Sequence, residues 1–299
     1  MKILENQKFW KKVNVGLIIL GLMLVVGVWQ RPDNKLRLVF CDVGQGDASL
    51  VSWGSYQILV DGGPDNSVLL CLGKNMAFSD KKIEVIALTH PQADHMTGLI
   101  EVIKRYEVGV LVVSEMVNDT AEFWELRKAV FDRGVEIREL IKGDELRLGL
   151  VKFKVLWPEK RGGNNLAWER DEENKEKILG AQSQLSDVNE VSLVLKGSFK
   201  GFDWLLTGDI DEKIEREMEV SEVEVLKVAH HGSKYSSGEE WLKTIDPELG
   251  VISVGKRNRF GHPTKVVLDR LNNVGAKVLR TDELGTIKII SDGKSWWQE

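Results

Sequence analysis

Thr89-His90-Pro91-Gln92-Ala93-Asp94-His95-Met96-Thr97-Gly98 places two histidines and an aspartate within six residues, directly after the apolar run Ile83-Glu84-Val85-Ile86-Ala87-Leu88. A short apolar run of this kind predicts a buried strand. Beyond it, Leu99, Val102, Ile103 and Tyr106 recur at helical spacing. His90, Asp94 and His95 therefore sit where a strand turns into a helix, and short side chains on such a turn can converge on one point. Neutral imidazole and carboxylate are preferred ligands of zinc and related divalent ions. The rest of the chain tests whether a metal centre is its organising feature.

The other histidines answer in the same way. Val223 to Ala229 reads as a strand that runs into His230-His231-Gly232-Ser233, and Leu249 to Val254 as one that leads to Gly261-His262-Pro263. Phe202 to Leu206 ends in Thr207-Gly208-Asp209. All five histidines fall at turns, beside strand exits. In layered α/β folds ligands bind at the loops on one edge of the sheet. Two acidic glycine turns, Asp42-Val43-Gly44-Gln45-Gly46-Asp47 and Asp61-Gly62-Gly63-Pro64, flank the hairpin strands Ala48 to Trp53 and Tyr56 to Val60.

Composition sets the limits. The chain has 299 residues, 42% apolar and 29% charged, with a net charge of −5, as expected of a globular fold with a sizeable core. The first thirty residues carry Lys2, Lys8, Lys11 and Lys12 against Glu5, so the remainder stands at −8. That balance excludes a generally basic nucleic-acid-binding domain. A polyanion would have to be met by a metal or a local patch, and Lys256, Arg257 and Arg259 beside His262 supply such a patch. Cys41 and Cys71 both lie in apolar runs, which suits two buried thiols and leaves a disulfide open.

Val13 to Gln30 is uncharged and as a helix would extend about 27 Å, enough to cross a bilayer core of about 30 Å. Residues 1–31 are expected to form a single N-terminal transmembrane anchor, and residues 36–299 one α/β domain. The lysines before the span outnumber the three positive charges just after it, which orients the domain outside the cytoplasm of a single-pass protein in the cell membrane. Pro158 to Asp187, rich in Gly, Asn and charge, reads as a solvated insertion.

Taken in order, Asp42 to Ala48, Asp61-Gly62-Gly63, Thr89 to Gly98, Leu206-Thr207-Gly208-Asp209, His230 to Ser233 and Gly261-His262-Pro263 resemble the metallo-β-lactamase-type domain of the ComEC competence proteins, a family of bacterial DNA-uptake proteins. The resemblance covers nearly all of residues 36–299. It implies an αββα sandwich, a one- or two-metal site at the sheet edge, and hydrolysis, with DNA or another phosphodiester as substrate. The ligand set it implies is His90, Asp94, His95, Asp209 and one histidine of the later motifs, written here as His230. His231 and His262 are then left for proton transfer to the leaving oxygen, and Asp94 also as a base. Where the superfamily has His-x-His-x-Asp-His, this chain has Gln92 in place of the middle histidine. Near the usual third histidine of the first metal it has Asn189. The unequal supply implies one firmly held ion, zinc or manganese, and a weak second site. Asp42, Asp47, Asp61, Gln92 and Asn189 are expected to brace the ligands, and Lys256, Arg257 and Arg259 to meet substrate phosphate. Two alternatives stay open: a hydrolase of small carbonyl substrates (lactone, thioester or β-lactam), and a weakly catalytic binding module of a DNA-uptake assembly.

Overall fold

The computed structural model describes residues 9–21, 33–114, 118–159 and 188–299. The chain divides into two units, Met1–Asp33 and Asn34–Glu299. In the first, residues 9–21 form a helix, α1. Among the described residues no helix is long and apolar enough to cross a membrane. The second half of the expected span and the insertion at 160–187 lie outside the described residues.

The second unit opens with the antiparallel strands β1 (Leu36–Phe40), β2 (Ser49–Trp53) and β3 (Tyr56–Val60). Trp53 and Tyr56 pair across a two-residue turn at Gly54-Ser55. The helix α2 (Ser67–Asn75) follows, where the apolar pattern alone shows only a short run. It starts on Asp65, whose Oδ1 accepts from the Ser67 amide at 2.8 Å, and it buries Val68, Cys71 and Leu72 at helical spacing. Cys71 is thereby brought to Cys41, with 5.8 Å between Cα atoms, and the two are disulfide-bonded.

Then come β4 (Lys82–Leu88), α3 (Ala93–Arg105), β5 (Glu107–Val113), α4 (Ala121–Arg133) and β6 (Glu136–Glu139). Thr120 caps α4 by accepting from the Phe123 amide, and Gly134 ends it at φ 64°. The strands β7 (Glu145–Leu148), β8 (Val151–Trp157), β9 (Val194–Phe199), β10 (Phe202–Leu206), β11 (Val225–Lys227), β12 (Leu249–Ile252) and β13 (Lys277–Arg280) make the second sheet. The helices α5 (Glu212–Glu217), α6 (Glu239–Ile245) and α7 (Lys265–Asn273) lie between its later strands. The short α8 (Thr281–Leu284) leads to β14 (Ile287–Ser291) and β15 (Trp296–Gln298), which return to the first sheet.

The first sheet runs β15-β14-β1-β2-β3-β4-β5-β6 and the second β13-β12-β11-β10-β9-β8-β7. Three apolar clusters define the layers. One joins inward residues of both sheets, among them Leu38, Val60, Val85, Phe153, Trp204, Val225 and Val251. Another packs the outer face of the first sheet on α2, α3 and α4, through Leu72, Leu99, Ile103 and Leu126. The third packs the outer face of the second sheet on α5, α6 and α7, through Ile214, Leu242 and Leu271. The order is helix, sheet, sheet, helix. At the sheet interface Trp204 lies against Gly197, where a Cβ would stand 2.0 Å from the indole, and meets Phe153 edge to face at 5.4 Å.

Two runs of parallel strands, β3 to β6 and β10 to β13, provide the functional edge. The loops after β3, β4, β10, β11 and β12 carry Asp61, His90, Asp209, His231 and His262, so the strand exits of both sheets meet on one side.

Candidate metal centre

The glycine turns tie the strand exits to the first turn of α3. The Asp47 amide donates to Asp94 O at 3.1 Å, Gly62 N to His95 O at 2.6 Å, and Gly98 N to Gly63 O at 3.0 Å. A Cβ on Gly46 would stand 2.2 Å from Asp94 O, and one on Gly98 would stand 2.0 Å from Gly62 O. Only glycine allows that approach.

Each of three buried imidazoles is anchored through Nδ1. His95 Nδ1 lies 2.9 Å from Asp61 Oδ2, and His231 Nδ1 lies 2.9 Å from Ser253 O. A carboxylate and a carbonyl can only accept, so both rings carry their proton on Nδ1. The Thr89 hydroxyl donates to Asp61 Oδ2 at 2.8 Å, which leaves its oxygen to accept from His90 Nδ1 at 3.0 Å. All three rings therefore present a free Nε2.

These atoms converge. His90, His95 and Asp209 form one group of donors with all atoms within 4.8 Å of one another; Asp94, His95 and His231 form another, and Asp47, Asp209 and His231 a third. His95 Nε2 is 3.4 Å from Asp209 Oδ1, and His231 Nε2 is 3.4 Å from Asp94 Oδ2 and 3.6 Å from Asp209 Oδ2. His90 Nε2, His95 Nε2, His231 Nε2 and Asp209 Oδ1 are buried without a hydrogen-bond partner. Buried polar atoms left unpaired are costly, and four of them in overlapping donor groups that share His95 and Asp209 fit bound divalent cations.

Charge in the cluster leads to the same reading. Burial raises Asp209 and Asp47, yet the facing imidazoles, and for Asp47 first of all Lys227, hold both well below the usual carboxylate range. Burial first, and the Asp47 charge with it, raise Asp61 above its ordinary value against the pull of His95 and the Thr89 amide. Against the pull of burial, Asp209 and Asp47 raise His231 to about 10, and Asp209 and Asp61 raise His95. His90, buried and beside His95, falls to about 3. Protons on two imidazoles balance carboxylates here, and a bound cation would supply that charge instead.

Each expected residue can now be located. His90, Asp94, His95 and Asp209 are in the cluster. His231 joins them, while the ring of His230 is one-third exposed at the edge, with Nε2 3.7 Å from Asp209 Oδ2. Both adopt left-handed backbone, at φ 51° and 53°, a conformation that non-glycine residues seldom adopt. His262 borders the cluster with its ring 6.1 Å from that of His230. Gln92 Nε2 donates to Asn189 Oδ1 at 3.0 Å, so two amides occupy the poorer side. Asp47 and Asp61 stand behind the imidazoles. The exposed Asp42 instead caps its own turn, accepting from Gly44 N at 3.3 Å. Lys256, Arg257 and Arg259 are exposed on the loop after β12 and do not line the cavity over the cluster. That cavity, about 450 Å³, is walled by Gln45, Pro64, Gln92, Ala93, Asp94, Asp209, His230, His231, Phe260 and His262.

Ser253 and Lys227 lie outside every motif quoted above, and Thr89 lies inside one without a role of its own, yet all three hold the cluster in place. Lys227 Nζ, fully buried, lies 2.7 Å from Asp47 Oδ2 and donates to Val228 O at 3.0 Å. A lysine in the middle of Val223-Glu224-Val225-Leu226-Lys227-Val228-Ala229 is the one signal that could have marked it.

The comparisons agree with this arrangement. Residues 41–256 match the Metallo-beta-lactamase superfamily. ComE operon protein 3 of Bacillus subtilis is 29% identical over 95% of this chain and 37% of its own length. Competence protein ComA of Neisseria gonorrhoeae is 25% identical over 86% of the chain and 32% of its own length. The chain thus spans about a third of these curated relatives. Among solved structures, the metallo-beta-lactamase fold protein YhfI of Bacillus subtilis superposes with a TM-score of 0.53 at 11% identity, covering 88% of this chain and all of that one. With the family matched across most of its length and a buried His/Asp donor set at the sheet edge, the chain belongs to the metallo-β-lactamase superfamily of metal-dependent hydrolases, and its relatives there include competence proteins.

Proposed function

We propose that the chain is a membrane-anchored, metal-dependent phosphodiesterase that cleaves DNA outside the cytoplasm. The observation that carries the hydrolytic part is that His90 Nε2, His95 Nε2, His231 Nε2 and Asp209 Oδ1 are all buried and unpartnered in one donor cluster, of which Asp209 and His231 line an open cavity. Asp94, His95, His231 and Asp209 would hold a zinc or manganese ion firmly. His90 with the Gln92–Asn189 amide pair would hold a second weakly, since amides bind such ions less well than imidazole. A divalent ion there supplies Lewis acidity and makes water a nucleophile near neutral pH.

The protein's own groups do the rest. Asp61, Ser253 and Thr89 fix the imidazole orientations, and outer partners of this kind tune both geometry and affinity. Asp94, partly open to the cavity, is placed to take a proton. His230 and His262, whose rings face the same cavity, are placed to give one to the leaving oxygen. A phosphodiester is favoured because the exposed Lys256, Arg257 and Arg259 border the cavity loop of a chain that is otherwise acidic. The name of one relative, competence protein ComA, supports a DNA substrate.

Two features support the location. From Val13 onward α1 carries no charge, as the first half of a span would. The Cys41–Cys71 disulfide suits an oxidising compartment.

The purified full chain should cleave DNA with added manganese or zinc and lose activity in chelator. Asp209→Asn should reduce cleavage at least a thousandfold while leaving the circular dichroism spectrum unchanged. Full activity in the Asn variant would place the chemistry elsewhere.

A further inference from the structure

Phe260 is accounted for neither by the ligand cluster nor by the basic segment. Its side chain is 69% exposed, yet it borders the same cavity as Asp94, Asp209 and His230. The ring lies nearly parallel to that of His262, at 14° with 5.9 Å between centroids. Its loop is held firmly. Asn258 Nδ2 donates to Gly255 O at 3.0 Å and to His262 O at 2.8 Å. Its Oδ1 accepts from His262 N at 2.9 Å. Gly255 N reaches across to Gln45 Oε1 at 3.2 Å. An apolar ring on a braced arm, open to water at the mouth of the cavity, is a preformed flat surface.

We propose that Phe260 is the platform on which the base beside the attacked phosphodiester stacks, which makes the site selective for unpaired nucleotides. The inference rests on the phosphodiester reading and specifies its substrate. Stacking needs a free base face. In a duplex both faces of each base are covered by neighbours, whereas a single strand or an open end offers one. Base–aromatic stacking contributes about 1–3 kcal/mol per base, is indifferent to sequence, and works beside cations that follow the backbone. Lys256, Arg257 and Arg259 are exposed on the same loop. A ring with cations around it could also dip into a lipid surface. The parallel His262 ring and the position at the rim of the ligand cluster favour a flat aromatic ligand over acyl chains.

The test uses the full chain in detergent, as wild type, Phe260→Ala and Phe260→Trp. Two fluorescent ligands of about twelve nucleotides are compared: oligodeoxythymidine, and an abasic backbone of equal length and charge. Anisotropy is read in chelator, so binding alone is measured. Wild type should bind the thymidine strand about ten- to a hundredfold more tightly than the abasic one. Phe260→Ala should lower thymidine binding to the abasic level and leave abasic binding within about twofold, and Phe260→Trp should keep the preference. Equal wild-type affinities, a preference that survives in Phe260→Ala, or equal loss on both ligands would each overturn the assignment. So would loss of binding to phosphatidylglycerol vesicles with the base preference intact, which would make Phe260 a membrane contact. A failure to cleave DNA in the metal-loaded assay would sink the nuclease reading and with it the place of the stacked base beside an attacked phosphodiester, whereas cleavage without base preference would sink the platform alone.

Discussion

At the scale of residues, neighbours in sequence have different fates because backbone conformation decides where a ring points. His230 and His231 are chemically identical, and both are left-handed. Only His231 has Nδ1 on the Ser253 carbonyl, with Nε2 turned to Asp94 and Asp209. His231→Ala should therefore abolish firm binding of the one tightly held ion, measured by equilibrium dialysis and elemental analysis. His230→Ala should retain the ion and lose turnover. The opposite pattern would exchange the two roles. Beneath His231, Asp47 depends on Lys227 for a counter-charge in a site with no water access. Lys227→Met removes the nearer cation, leaving that carboxylate only the His231 imidazole at 3.5 Å, and should cost about 3 kcal/mol in a denaturant titration. Combining it with Asp47→Asn should recover part of the loss, and a single mutant as stable as wild type would mean the pair is not needed.

At the scale of elements, the first turn of α3 acts as the joint on which the site is assembled. It takes hydrogen bonds from both acidic glycine loops, and the approach of Gly98 to Gly62 leaves no room for a methyl group. Gly98→Ala should push α3 away from the Asp61 loop and lower stability by about 3 kcal/mol. Because Asp61 moves with that loop, metal affinity should fall as well. A melting temperature within a degree of wild type would show that the loop yields without cost. Strand exits, glycine turns and the cap of α4 are all legible in the sequence, since each depends on local pattern. The helix α2 is less legible, because its start rests on the side-chain bond from Asp65 and its burial on a sheet formed elsewhere in the chain.

At the scale of the whole molecule, the two sheets bring five strand exits together, and the opposite faces of both sheets are closed by helices. The proposed orientation in a membrane would be a property of the entire chain. Lys2, Lys8, Lys11 and Lys12 before the expected span favour N-inside insertion, so protease added to intact cells should degrade the domain. A domain that resists until the membrane is lysed would place it in the cytoplasm and make an intracellular phosphodiesterase the better reading.

Sequence alone pointed to the family through the resemblance of its motifs, implied the αββα order through that family, and marked His90, Asp94, His95 and Asp209 as candidate donors. The candidate donors are legible because each lies within a few residues of the end of an apolar run. The tertiary structure decided which later histidine enters the cluster, which groups stand behind the rings, and that Phe260 borders the cavity. Thr89 binds Asp61 across 28 residues, Ser253 lies 22 residues from His231, and Lys227 meets an aspartate near the start of the domain. Contacts of that kind have no periodicity to read. They arise when the strands have paired and the glycine loops have closed, because only then does burial make each unpaired donor or acceptor costly enough to fix its partner.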